Sequence, residues 1–232
     1  MMTINEDIDF NSCNDYIICG HSDEEEIYNM LNNIELIKPF IDFNEKDDKF
    51  LFCQIIRRPK DIKDKSNHIS SHRVLRTYFI RSQKNLEEIM PEIILLCEFY
   101  QARAYINLTV RSFKKLQTEL LMRLSTNINN NCVCNTLKLL NSIASTIKAE
   151  KGNAKWVIDI DTTDKKTIED VKGWILKYYE GNDYLYGTIP TLHGVHLITK
   201  PFNTQKFNSS FKDIEVKKNA GGTVLYIPDI IM

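Results

Sequence analysis

The segment Trp156-Val157-Ile158-Asp159-Ile160-Asp161 is a short apolar run that ends in two carboxylates. In a β-strand, successive side chains point to opposite faces of the sheet. The run therefore predicts a strand with Trp156 and both isoleucines on one face, and with Val157 and both aspartates on the other. The aspartates would lie roughly 6–7 Å apart along the strand, close enough to share one or two divalent cations.

The residues after this strand predict a β-α-β-β-α-β unit. Its further elements are expected as a helix over 165–180, strands over 184–190 and 194–200, a short helix over 204–211 and a strand over 214–218. This succession is the ferredoxin-like plan, which RNA-recognition modules and many polymerase palms share. An additional strand is predicted over 223–227. The plan by itself does not define a function.

The preceding part of the chain also alternates strands and helices. Strands are predicted over 50–58, 72–81 and 103–111, and helices over 86–101, 112–127 and 135–148. Pro91 is compatible with the first of these helices only near its first turns. A capping box that starts at Ser22 predicts a further helix over 22–33.

These patterns predict an α/β (α+β) protein with three parts. Residues 1–49 would form an acidic arm with one helix, 50–152 an N-terminal α/β lobe, and 153–232 the ferredoxin-like unit. The charges follow the same division, because residues 1–49 contain 13 acidic and 3 basic side chains. The remaining residues contain 18 acidic and 27 basic side chains, which suits a body that binds phosphates but equally suits a solvated acidic face on the first segment.

Composition excludes some classes of protein. No apolar run approaches the roughly 18–20 residues of a membrane helix, and the N-terminus lacks a secretory signal, so we expect no membrane partner and a cytoplasmic location. The six cysteines are then expected as thiols. Cys132-Val133-Cys134 is the closest pair, and its spacing is poor for structural zinc.

Three polar clusters fall on strands of the ferredoxin-like unit. They are Asp159 with Asp161, the turn and strand Thr191-Leu-His193-Gly194-Val-His196, and Asp213-Ile-Glu215. In this topology the first and third strands are central neighbours, and the fourth strand flanks the first. The aspartates, His196 and one acid of the third cluster can therefore converge on the exposed face of the sheet, where carboxylates would bind Mg²⁺ or Mn²⁺.

The order of these clusters resembles the three motifs of the archaeo-eukaryotic primase (primase–polymerase) superfamily. The motifs would be Ile158–Asp161, Thr191–His196 and Ile214-Glu215, and the Gly221-to-Pro228 segment is similar to the strand that follows the third motif. Compact, phage-encoded members of that superfamily would match a chain of this size. Their catalytic core also has an N-terminal α/β lobe, for which residues 50–148 are available.

The resemblance implies a metal-dependent nucleotidyltransferase that primes or extends nucleic acid in DNA replication. It implies that Asp159, Asp161 and Glu215 hold the metal, with Asp213 as the rival third acid. It also implies partners: NTP or dNTP, a single-stranded DNA or RNA template, and a helicase or other replication protein in trans. The residues expected to bind the nucleotide are Thr191, His193, Gly194, His196 and Lys217.

Arg103 and Arg111 lie on the polar face of one predicted strand, so together with Lys114 they are candidates for binding the nucleic-acid backbone. They could equally extend along the surface without a ligand. Other interpretations of the acidic clusters also stay open. Asp159 and Asp161 could cap the following helix, and His193 with His196 could form a separate metal pair.

Two further function classes remain from the sequence. One is a metal-dependent nuclease or phosphohydrolase that uses the acids with His193 or His196. The other is a non-catalytic, RNA-recognition-like binding or regulatory protein, including a catalytically degenerate primase fold. Such modules normally stack bases on aromatic side chains of the sheet. The predicted face here carries acids instead, which favours a metal.

Overall fold

The computed structural model describes residues 31–61, 73–149, 152–178, 184–218 and 221–231, which form an α+β fold with two antiparallel sheets. The strands are β1 (Leu31–Asn32), β2 (Phe50–Arg57), β3 (Arg73–Ile80), β4 (Arg103–Arg111), β5 (Trp156–Ile160), β6 (Leu185–Pro190), β7 (Val195–Thr199), β8 (Glu215–Lys217) and β9 (Thr223–Ile227). The α-helices are α1 (Ile34–Ile37), α2 (Gln83–Tyr100), α3 (Phe113–Asn129), α4 (Thr136–Thr146), α5 (Lys165–Tyr178) and α6 (Thr204–Ser210). The helix predicted over 22–33 lies outside the described residues except for its last three positions, of which Leu31 and Asn32 form β1.

The four-stranded sheet contains the stretch that opens with Trp156. Its strand order is β6-β7-β5-β8, with antiparallel neighbours throughout, so β5 lies between β7 and β8 as predicted. Ile158 and Ile160 pack against α5 and α6 on one face. Val157 points to the other face and joins the core that is shared with the five-stranded sheet. The alternation read from the sequence is therefore confirmed.

The five-stranded sheet has the order β1-β9-β4-β2-β3. One face is apolar and packs on α2 through residues such as Leu51 and Ile106. The opposite face packs in part on α3 and α4 through Phe50 and Phe52. Its strands come from all three parts that the sequence predicts. Strand β1 belongs to 1–49, strands β2 to β4 belong to 50–152, and β9, which lies between β1 and β4, belongs to 153–232.

Helix α2 begins earlier than the pattern predicts. Ser82 is its N-cap, and the Ser82 side chain accepts a hydrogen bond from the backbone N–H of Asn85. The start at Gln83 places Pro91 in the helix interior, so the prediction that Pro91 lies in the first turns is wrong. Ile93 and Cys97 are fully buried on the inner face of this helix. Tertiary packing of that kind can offset the loss of the hydrogen bond that a proline removes.

Within the described ranges, no helix has both the length and the apolar character needed to cross a bilayer.

Candidate active site between the two sheets

A cleft of about 740 Å³ separates β8 from the polar face of the five-stranded sheet. We call it the intersheet cleft. One wall comes from β2, β4 and Arg58, and the other comes from Glu215–Lys218 and Gly221-Gly222. Four basic side chains and one carboxylate line it, namely Arg58, Arg111, Lys217, Lys218 and Glu215. The cleft therefore suits an anionic ligand.

Three of the predicted site residues form one row across the four-stranded sheet. Asp159 lies opposite His196 on β7 and opposite Glu215 on β8. Directly opposite residues of antiparallel strands have Cβ atoms about 4.5–5.5 Å apart and point to the same face. The row lies on the face that carries Val157, which is turned toward the five-stranded sheet rather than to open solvent.

His196 links the two sheets. Its Nε2 lies 3.0 Å from Asp159 Oδ1, and its Nδ1 lies 2.9 Å from the Thr223 hydroxyl on β9. A carboxylate can only accept, so Nε2–H donates to Asp159, and a neutral ring accepts the Thr223 proton at Nδ1. With 4% exposure and both nitrogens engaged, His196 orients Asp159 in this arrangement.

Lys217 holds the second oxygen of Asp159. Its Nζ donates to Oδ2, while Oδ1 is held by His196. Burial alone would raise the pKa of Asp159, but the hydrogen bonds from His196 and Lys217, together with the charge of Lys217, outweigh it and lower the pKa to about 2. Asp159 is therefore a carboxylate at neutral pH.

The remaining acids lie just beyond the strand ends. Asp161 follows the last residue of β5 and is exposed, and Asp213 precedes β8 and is exposed as well. Continuing the β5–β8 register by two residues would bring Asp213 opposite Asp161, but neither residue is part of a strand. Glu215 is thus the acid that the structure places beside Asp159.

The turn between β6 and β7 carries Thr191 and His193. The backbone N–H of Thr191 donates to the carbonyl of Gly194, which closes the turn. His193 is exposed, and the residues that line the intersheet cleft include neither of the two. Thr191 and His193 therefore belong to the turn and not to the wall of the intersheet cleft.

A close approach of two backbone segments explains why residue 194 is a glycine. A Cβ at this position would lie 1.9 Å from the carbonyl oxygen of Ile160 and 2.7 Å from the backbone nitrogen of Thr162. Only glycine allows the start of β7 to approach the end of β5 so closely. This contact fixes the register that places His196 opposite Asp159.

The five-stranded sheet supplies the other basic groups of the cleft. Arg111 is 1% exposed, contacts the face of the Phe52 ring, and has its pKa lowered to about 10 by burial, so it stays charged at neutral pH. Arg58 donates to the hydroxyl of Tyr105 at 2.9 Å. Arg58 and Thr223 were not among the predicted site residues, although Arg58 follows β2 on the side of Gln54 and Ile56.

The other two candidates for binding nucleic acid lie outside the cleft. Arg103 is 6% exposed and forms a bidentate pair with Asp61, with contacts of 2.7 and 2.5 Å. It is tied to the protein interior and offers no accessible group to a phosphate backbone. Lys114 lies in the first turn of α3, beside Asp48, and lines a second cavity between α3 and α4.

The donor set of the row is compatible with Mg²⁺ or Mn²⁺, which prefer carboxylate oxygens. Asp159 and Glu215 are in register on one face, and Asp161 follows two residues after Asp159. Within the described ranges, no three side chains of the ligand types His, Cys, Asp or Glu form a preassembled cluster. Lys217 and His196 occupy both oxygens of the central carboxylate, so any metal would have to compete for them.

Comparison of the chain with models of protein families, with curated proteins and with solved structures finds no match.

Proposed function

We propose that this protein is a metal-dependent nucleotidyltransferase of the primase–polymerase type. It would prime or extend nucleic acid from NTP or dNTP on a single-stranded template. The observation that carries the proposal is the placement of Asp159 directly opposite Glu215 beside a cleft with four basic side chains. The motif resemblance found in the sequence adds to this, because it involves the same acids and His196.

The proposed roles follow from position and charge. Asp159 and Glu215, with Asp161 beyond the strand end, would hold Mg²⁺ or Mn²⁺, and the four-stranded sheet would serve as the palm. The bound ion would stabilise the developing charge on the attacking and leaving oxygens. His196 would keep one oxygen of Asp159 in a fixed orientation through its bonds to Asp159 and Thr223.

The basic groups of the cleft would bind phosphates. Arg58 is oriented by Tyr105 and would contact a phosphate directly. Arg111 is 1% exposed and donates to the carbonyls of Thr109 and Ser145, so it would act through its weakly screened charge rather than by direct contact. Lys217 lies on the opposite wall, and its side chain is 29% exposed. Cations on both walls suit a strand or a triphosphate that passes between the sheets.

A second candidate function is phosphate or nucleic-acid binding without turnover. The observation that favours it is the contact of Lys217 with Asp159, because an internal ion pair neutralises the carboxylate that a catalytic metal needs. In that case the cleft would keep its basic character while the metal site would no longer work.

The test is a template-extension assay with labelled NTP or dNTP, Mn²⁺ or Mg²⁺, and single-stranded template with and without a primer. Asp159→Asn removes the charge and keeps the shape, and Asp161→Ala removes the second acid. Glu169→Gln is the matched control, because Glu169 is exposed on α5, which packs on the opposite face of the sheet.

We expect extension by the wild type and by Glu169→Gln, and its loss in Asp159→Asn. Extension that persists unchanged in Asp159→Asn would contradict the proposal. Shortening of the template would indicate a nuclease instead. Binding of template without extension would support the second candidate.

A further inference from the structure

Lys217 places its ammonium group against Asp159, where a metal ion would be expected in a carboxylate site. Its Nζ contacts Asp159 Oδ2 from the neighbouring strand β8, where Lys217 lies opposite Val157. His196 contacts the other oxygen at 3.0 Å. The central carboxylate of the row is therefore fully occupied by side chains of the protein itself.

Glu215 has a different environment. It lies directly opposite Asp159 and is exposed at the cleft, and its side chain forms no hydrogen bond or ion pair with the residues that the structure describes. The row thus contains one carboxylate neutralised by Lys217 and one that is open to a ligand. A divalent cation that binds Glu215 would meet the ammonium group of Lys217 at Asp159.

The Lys217 side chain has room to leave. Its side chain is 29% exposed and lines the intersheet cleft, whereas the Asp159 side chain is 12% exposed. Gly221 packs closely against the base of this side chain, because a Cβ on Gly221 would come within 2.4 Å of the Lys217 Cβ. The flexible end beyond this point can turn into the cleft without a change of the backbone.

The geometry points to Lys217 as an internal cation that holds Asp159 in the metal-free protein and that a divalent cation displaces. This inference rests on the metal site of the proposed function and adds a residue that sets its affinity. Occupation of the site requires that the ion pair of Lys217 with Asp159 be broken, so the wild-type affinity is lower than the carboxylates alone would give. The displaced ammonium adds one positive charge to the open part of the cleft.

The test measures Mn²⁺ binding to the full chain by calorimetry and by electron paramagnetic resonance, without nucleotide or template. Lys217→Met removes the internal cation and keeps the length of the side chain. Lys218→Met is the matched control, because it removes one ammonium from the adjacent residue, whose Nζ contacts Thr204 and the Trp156 ring on the other face of the sheet rather than Asp159.

We expect Lys217→Met to bind Mn²⁺ about tenfold more tightly than the wild type, which corresponds to the loss of one ion pair. Lys218→Met should stay within about twofold of the wild type, because its distant charge is screened. Equal affinity of Lys217→Met and wild type would overturn the inference while leaving the metal site in place. An equal gain in both variants would also overturn it, because the gain would then be a general effect of charge.

Absence of Mn²⁺ binding in all three proteins would overturn the metal site of the proposed function together with the inference. A measurement on the wild type alone covers the case in which Lys217→Met does not fold. Lysine acetylation, mapped by mass spectrometry, should modify Lys217 several-fold faster with saturating Mn²⁺ than without it. A reaction rate at Lys217 that does not change with Mn²⁺ would contradict displacement.

Discussion

Asp61 and Asp159 each pair with a basic side chain, yet the two pairs differ in burial, in geometry and in the type of base. Asp61 binds Arg103 through both oxygens, and these side chains are 2% and 7% exposed. Asp159 gives only one oxygen to Lys217, which is 29% exposed and borders the cleft. A buried bidentate arginine pair holds the fold together, whereas a lysine pair at the edge of a cleft can be exchanged for another cation.

Asp61→Ala should have the largest effect on stability. Arg103 would keep its buried position without its partner, and an unpaired buried charge costs about 3–5 kcal/mol of the free energy of unfolding. Urea denaturation measures this cost. Glu119→Ala is the control, since it breaks the partly exposed pair with Arg123 and should cost less than about 1 kcal/mol. Similar small losses in both variants would remove the contrast drawn above.

Gly194→Ala tests what holds the Asp159 pair in place. The new Cβ would collide with the backbone of Ile160 and Thr162, so β7 must shift relative to β5, at a cost of about 2–3 kcal/mol. Thermal or urea unfolding measures it. Gly173→Ala in α5 is the control, because its Cβ would meet nothing within 4 Å and alanine favours the helix. A Gly194→Ala protein as stable as the wild type would be inconsistent with this close approach.

The Asp159 pair should show a specific dependence on pH. The folded state lowers the pKa of Asp159 from 3.8 to about 2, so it contributes about 2 kcal/mol above pH 4. That contribution is lost as the pH falls from about 4 to 2, because the carboxyl group then binds a proton in both states. The difference in unfolding free energy between wild type and Asp159→Asn should shrink over this range. A difference independent of pH would show that the charge of Asp159 is not stabilised.

Lys217→Met should have the smallest effect on stability. The pair borders the cleft, where water and the His196 ring still solvate Asp159, so the loss should stay within about 1 kcal/mol. The same urea experiment used for Asp61→Ala measures it. A loss as large as that of Asp61→Ala would mean that Lys217 is a structural partner, like Arg103.

The alternation of residues 156–161 was sufficient to predict which side chains share a face of the sheet. It did not predict that the face with Val157 and Asp159 is covered by the five-stranded sheet, where Val157 is 2% exposed. Both isoleucines of β5 pack against helices, as expected from a period of two, and the order of elements after β5 predicted its neighbours. The opposition of Asp159, His196 and Glu215 follows from that register. Its roles in metal and nucleotide binding stay predictions.

Other features depend on contacts that a local pattern does not contain. Arg103 was a candidate phosphate ligand because it lies on a polar strand face, but its partner Asp61 belongs to a turn after β2. The sequence identified β9 as a strand without identifying the sheet that it joins. Lys217 could be placed near the third motif, but the direction of its long side chain depends on Asp159 across the sheet.

The position of β9 has a consequence for how the chain is made. A ribosome must add Ile227 before the strand between β1 and β4 is available, although β2, β3 and β4 are synthesised much earlier. Until then β4 presents an open edge, and such edges are prone to pair with other chains. We therefore expect the nascent protein to depend on chaperones for longer than its size alone would require.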